Sequence, residues 1–174
     1  MTISLHETSV AALARALRNM AAILDKASVW ATEKQKTTPP TLSIEQGLLG
    51  TRLAPDMFPF SRQIQIATDM AKGCGARLAS IEPPKYEDTE ASFDDLKVRL
   101  EKTASFLDSV DQTAVDASAD RQINLKAGTR ELSFSGRNYV NVFVLPNVYF
   151  HLSMAYAVLR QAGVPIGKND FLGG

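Results

Sequence analysis

A chain of 174 residues is the size that one hydrophobic core serves well, which argues against several domains. Its 45% hydrophobic and 22% charged residues exclude a disordered chain. Nineteen basic residues balance nineteen acidic ones, and without a block of like charge neither nucleic acid nor an anionic membrane is an expected partner.

The first twenty residues carry His6, Glu7, Arg15 and Arg18 among the apolar ones, unlike the unbroken apolar stretch of a signal peptide. The single cysteine, Cys74, cannot form an internal disulfide. Both features point to a reducing compartment, the cytoplasm.

The first long helix is predicted from His6 to Lys34, because Val10, Leu13, Leu17, Met20 and Leu24 recur at steps of three and four. Pro39 and Pro40 stop it. A linker to Pro55 follows. The second helix is expected to begin near Asp56, which would cap it, with Pro59 in the first turn. Its stripe runs through Phe60, Ile64, Ala67, Met70, Cys74, Leu78 and Ile81, and Glu82-Pro83-Pro84 ends it. Gly73 and Gly75 in mid-helix predict a close helix contact.

The third helix, Phe93 to about Val110, has an even stripe of Phe93, Leu96, Leu100, Thr103, Leu107 and Val110, and Ser92 with Asp95 reads as a capping box. Alternation at Ile123 and Leu125, a turn at Ala127-Gly128, and alternation at Leu132 and Phe134 predict a β-hairpin. The fourth helix, Gly136 to Ala162, is apolar on nearly every side, which predicts burial on more than one face, either inside the bundle or against a second copy in a homodimer. Pro146 should kink it and leave the Val142 carbonyl without its usual partner. Asn141, Pro146, Asn147, His151 and Ser153 make Tyr139 to Leu159 too polar for a membrane span.

Asn147 and His151, four apart, share one face of that helix, the spacing that paired ligands require. Imidazole can bind metal, transfer a proton near neutral pH or hydrogen-bond within a core or pocket. Asp56 at the second helix start could shape a polar pocket mouth or simply cap the helix. Gln63, Gln65 and Asp69 read as a solvated flank, Asp69 being the one with a chemical alternative as a pocket acid. Cys74, on the apolar stripe, reads as buried and inert. Gly163-Val164-Pro165-Ile166-Gly167-Lys168 has the wrong spacing for a phosphate-binding loop.

The segments Arg52 to Lys72 (RLAPDMFPFSRQIQIATDMAK), Glu82 to Glu90 (EPPKYEDTE), Arg130 to Gly136 (RELSFSG), Leu145 to His151 (LPNVYFH) and Gly163 to Gly173 (GVPIGKNDFLG) together resemble the bacterial family catalogued as domain of unknown function nineteen ninety-three. That family is grouped with the DinB/YfiT-like four-helix bundles. The resemblance implies an all-α fold, one four-helix-bundle domain over residues 1–174 with a small β-hairpin between the third and fourth helices.

Better-known relatives are proven or proposed metalloenzymes, with one histidine on the second helix and two spaced four apart on the last. Here His151 has Asn147 and Ala155 as its neighbours at four, and the second helix has no histidine. A three-histidine site cannot be built. The expected function is therefore a bundle protein with a small-molecule pocket near Asn147 and His151, Asp56 and Asp69 being the other pocket residues, and with no cofactor. The alternative is a transferase or hydrolase that uses His151 with a divalent metal (Zn, Ni or Mn), Asn147, Asp56 or Asp69 completing the shell.

Overall fold

The structure is a computed structural model that describes residues 3–174, the side chain of Ala127 apart. Met1 and Thr2, the first residues of the segment read for a leader, lie outside the described residues. In chain order it contains a π-helical turn Glu7–Ala11, α1 (Ala12–Gln35), α2 (Ile44–Gly50), α3 (Phe60–Ala79), α4 (Phe93–Asp108) and α5 (Gln112–Asp116). The hairpin β1 (Gln122–Ala127) and β2 (Arg130–Ser135) follows, then α6 (Gly136–Asn138), a π-helical segment Tyr139–Val144, α7 (Leu145–Gln161) and α8 (Lys168–Leu172). The four long helices α1, α3, α4 and α7 form the bundle. α1 packs on α4, α4 on α3, α3 on α7, and α7 returns to α1.

The apolar stripes that define the helices are the surfaces that meet. Val10, Leu13, Leu17, Met20 and Leu24 of the first helix are all buried, as are Phe93, Leu96, Leu100 and Leu107 of α4. Phe60 and Phe93 close one end of the core edge to face, their rings 5.9 Å apart. Ser92 caps α4 by accepting from the Asp95 N–H at 3.0 Å, and Asp95 reciprocates to the Ala91 N–H at 3.0 Å. Gly75 gives the close contact expected of the mid-helix glycines: a Cβ there would stand 2.9 Å from Leu107 Cδ2 of α4. Gly73 makes room instead for the Arg77 guanidinium of its own helix.

Three expectations are corrected. The second long helix does not begin at Asp56 but at Phe60, with Pro59 as its extended N-cap residue. Had Asp56 been the cap, Phe58 would lie in the first helical turn immediately before Pro59, a position where proline disfavours the helical conformation. Asp56 sits exposed in a turn closed by the Met57 N–H to the Ala54 carbonyl at 3.0 Å, with Pro55 at the position that such turns favour.

The stretch read as a linker holds α2, capped by Ser43, whose side chain accepts from the Gln46 N–H, and anchored by buried Leu48 and Leu49. The fourth long helix is not uniform: a π-helical segment runs from Tyr139 to Val144, and Pro146 stands at the start of α7. A π segment absorbs the missing proline N–H by widening the turn before it. The Asn147 amide donates to the Phe143 carbonyl at 2.6 Å in the same region.

By length and composition Gly136–Gln161 is apolar enough to cross a membrane, contrary to the reading of its polar interruptions. In the bundle it packs on α3, with Val140, Val144, Val148, Leu152, Ala155, Val158 and Leu159 buried.

The hairpin pairs Gln122 with Ser135 and Ala127 with Arg130 in antiparallel register. Gly128 stands at the first position of its two-residue loop with φ 61°, where a II′ turn requires a positive φ.

Candidate functional site

The structure separates the four expected site residues into three places. Asn147 and His151 share the α7 flank that faces α3. Asp56 is exposed in the loop before α3, and Asp69 turns towards α4.

Opposite His151 stands Gln63 of α3, which the solvated-flank reading misplaces: Gln63 is 2% exposed and Gln65 is buried as well. Gln63 Nε2 donates to the Phe58 carbonyl at 3.0 Å, so its Oε1 is turned to His151 Nδ1 at 2.7 Å. A carbonyl can only accept, and this fixes which end of the Gln63 amide meets the ring. Nδ1 must then carry the proton, leaving Nε2 as an unprotonated acceptor.

Burial, and after it the charge of Arg62, lowers the His151 pKa below the ordinary 6.5. The imidazole is neutral at neutral pH. The edge of Phe150 or of the ring itself closes one side, the two ring centroids being 5.3 Å apart at 85°. Beside it, Asn147 has spent its amide N–H on Phe143, and its Oδ1 has no hydrogen bond among the described residues.

A lowered histidine pKa has a definite sign in stability. The unfolded chain takes up its proton near pH 6.5, before the folded one does, so stability falls as pH drops below about 6.5 and stops falling once the lower folded pKa is passed. In urea titrations from about pH 7.5 to about pH 5, His151→Gln is expected to lose less stability than the native chain. Parallel losses would remove this assignment of the ring.

Asp69 belongs to a different cluster. Its carboxylate meets Arg99 at 2.8 Å and Lys72 at 2.7 Å. Arg99, 3% exposed, also reaches Glu90 at 2.8 Å, Asp88 at 3.0 Å, the Thr68 hydroxyl at 2.7 Å and the Glu87 carbonyl at 3.1 Å. Burial works against its charge, but the bond to Glu90 and the charges of Asp69, Glu90 and Asp88 prevail and raise its pKa. Arg62 completes the set on Asp88. Three cations thus meet three carboxylates, and the cluster fastens the loop before α4 onto α3 and α4.

Tyr86 lies in that loop, with Lys72 Nζ 4.0 Å and Lys102 Nζ 4.5 Å from its ring centroid. A cleft of about 510 Å³ runs past Tyr86, Arg99 and Lys102. A second, of about 530 Å³, lies between the end of α1 and α2. Neither is lined by Asn147 or His151. The polar groups of the second serve the fold: Gln35 donates to the Leu42 carbonyl and accepts from the Ile44 N–H, and Glu45 accepts from the Phe93 N–H.

Cys74 is buried. Burial pushes its thiol up to about 12, Arg77 pulling weakly the other way. Ellman's reagent at pH 8 is expected to leave the native thiol unmodified and to titrate it fully in denaturant. Rapid native labelling would contradict the packing around α3.

The residues around His151 do not fit a three-ligand metal site. His151 Nε2 is one donor, but the facing second-helix residue is Gln63, whose oxygen is already bound by the ring, and the neighbour at four is Asn147. Among the described residues no group of three His, Cys, Asp or Glu side chains stands close enough to hold a metal ion.

The family model described as Domain of unknown function (DUF1993) matches residues 5–172. A crystal structure of a DinB family member protein from Shewanella denitrificans is 32% identical, covers 98% of this chain and 92% of its own, and superposes with a TM-score of 0.83. No curated protein matches the chain.

Proposed function

From the premise that the chain belongs to the DUF1993 family of DinB-like helical bundles, we propose that it is a non-catalytic protein that binds a small polar molecule at the Asn147–His151 flank of α7. The observation that carries the reading is the Phe58–Gln63–His151 chain of hydrogen bonds, which holds a neutral imidazole with Nε2 as an acceptor. Asn147 Oδ1 is a second acceptor on the same face. Two acceptors beside the positive charge of Arg62 select a ligand with neutral N–H or O–H donors, an alcohol or an amide.

Three features weigh against a metal-dependent transferase or hydrolase. The ring is the only strong donor, amide oxygens are weak partners for Zn or Ni, and the one amide aimed at the ring is already occupied. Asp69, which could add a carboxylate, is spent on Arg99 and Lys72. A cytoplasmic location belongs to the same reading and is supported by the unpaired Cys74.

Ligand-observed NMR with a panel of small alcohols and amides tests it. Binding to the native chain that is lost in His151→Ala and in Gln63→Leu is expected. A panel that binds none of the three chains, or binds all three alike, would remove His151 from the proposal.

A further inference from the structure

The outward face of the last long helix has no covering. Val142 is 64% exposed, Phe150 51% and Tyr149 37%, and Pro146 is exposed between them. Half-buried Ser153 and Ala157 continue the same face toward the C-terminal end. Only 33% of the most apolar 18-residue window of this helix is buried. Phe58, 54% exposed, is tied through Gln63 to the His151 flank and widens the apolar surface.

The rest of the bundle's outer surface differs. The outer faces of α1 and α4 carry Arg15, Arg18, Asp25, Lys26, Asp94, Glu101 and Lys102, whereas between Arg137 and Arg160 the last helix has no Asp, Glu, Lys or Arg at all. Solvated helix faces normally carry such charges, and scattered apolar residues alone would need no explanation. A stripe of about 16 residues, roughly 24 Å long at 1.5 Å per residue, is more than scatter.

We propose that this face pairs with the same face of a second copy, the two helices antiparallel about a two-fold axis between Tyr149 and Phe150. The placement follows from side-chain size. With the axis there, Tyr149 meets the partner copy's Phe150, Pro146 meets Ser153, and Val142 meets Ala157, so that each large group faces a small one except at the axis, where two aromatic rings stack. An isologous contact repeats every pairing twice, and a stripe without charge brings no like charges together.

The area suffices. Burying the exposed parts of Val142, Pro146, Tyr149, Phe150 and Phe58 with their neighbours removes roughly 600 Å² per copy, about 1,200 Å² for the pair, the lower end of specific interfaces. A reversible dimer is the consequence. A lipid surface is the other apolar occupant such a stripe could meet. It is disfavoured by the grading of the stripe from larger side chains (Val142, Pro146, Tyr149, Phe150) to small ones (Ser153, Ala157), which an antiparallel copy fills and a lipid surface does not, and by the lack of lysine along the stripe.

This pairing does not depend on His151 binding anything. Light scattering at about 0.2 mM is expected to give twice the 19.0 kDa chain mass. Phe150→Asp and Val142→Asp, both at exposed positions, are expected to give the single-chain mass with native circular dichroism. Val98→Asp, equally exposed on α4, is expected to stay paired. A native chain of single-chain mass, or a Phe150→Asp chain as fully paired as the native one, overturns the proposal. A native monomer that sediments with phosphatidylcholine vesicles overturns it in favour of lipid.

Discussion

Arg99→Met is expected to cost about 3–5 kcal/mol of folding stability, because it leaves the largely buried Glu90 carboxylate without its counter-charge and the buried Thr68 hydroxyl without its donor. The side chain is 3% exposed and is held by Asp69, Asp88, Glu90, Thr68 and the Glu87 carbonyl. Glu90 itself is largely buried and also receives Gln65, so it cannot turn to water cheaply. Against a total stability of about 5–15 kcal/mol, such a loss approaches unfolding. Arg62→Met removes an ion pair to the same Asp88, but at an exposed position, and should cost no more than about 1 kcal/mol. Urea midpoints for the two variants measure the difference. Equal midpoints would mean that the Arg99 cluster is solvated and does not fasten the loop.

Gly136→Ala should be comparably severe for a different reason. A Cβ at Gly136 would stand 2.1 Å from the Ser118 carbonyl oxygen and 3.0 Å from its carbon, where non-bonded atoms need about 3.5 Å. Neither side can yield freely, since the Gly136 N–H donates to the Arg121 carbonyl and the Arg137 N–H to the Ala119 carbonyl, both at 2.8 Å. Two backbones touch here, and only glycine permits it. A loss of about 3 kcal/mol is expected, with Gly128→Ala, in open space but at φ 61°, costing about 1 kcal/mol for its left-handed backbone. Thermal midpoints rank them. Native-like stability of Gly136→Ala would contradict the docking of the Ser118–Arg121 turn on α6.

The bundle was readable because its determinants are local and periodic. The stripes of the first and third long helices name buried residues almost one for one, Ser92 announces a cap, and Gly128 a hairpin turn. α2 escaped, although Ser43 with Gln46 three residues on and Leu48-Leu49 behind them is a legible start signal. The proline pair around Asp56 misled in the other direction: a good cap residue is no cap when a proline three positions later forbids the turn.

The candidate site was half legible. That Asn147 and His151 share one face follows from spacing alone, but the partner of His151 requires knowing that Gln63 lies three after Phe60 and four before Ala67, on the buried stripe itself. Arg99 has the same signature, three after Leu96 and four before Thr103. A polar residue at a core position must find polar partners, and those partners come from other helices. Helix order is set by how faces match across the bundle, which no single segment encodes.

On the proposed function His151 is a neutral hydrogen-bonding group held by Gln63 and not a metal ligand. The most direct measurement is the metal content of tag-free protein by plasma mass spectrometry, for the native chain and for His151→Ala, after incubation with Zn, Ni and Mn in turn and desalting. No metal near one equivalent is expected in either chain. One equivalent retained by the native chain and lost from His151→Ala would contradict it.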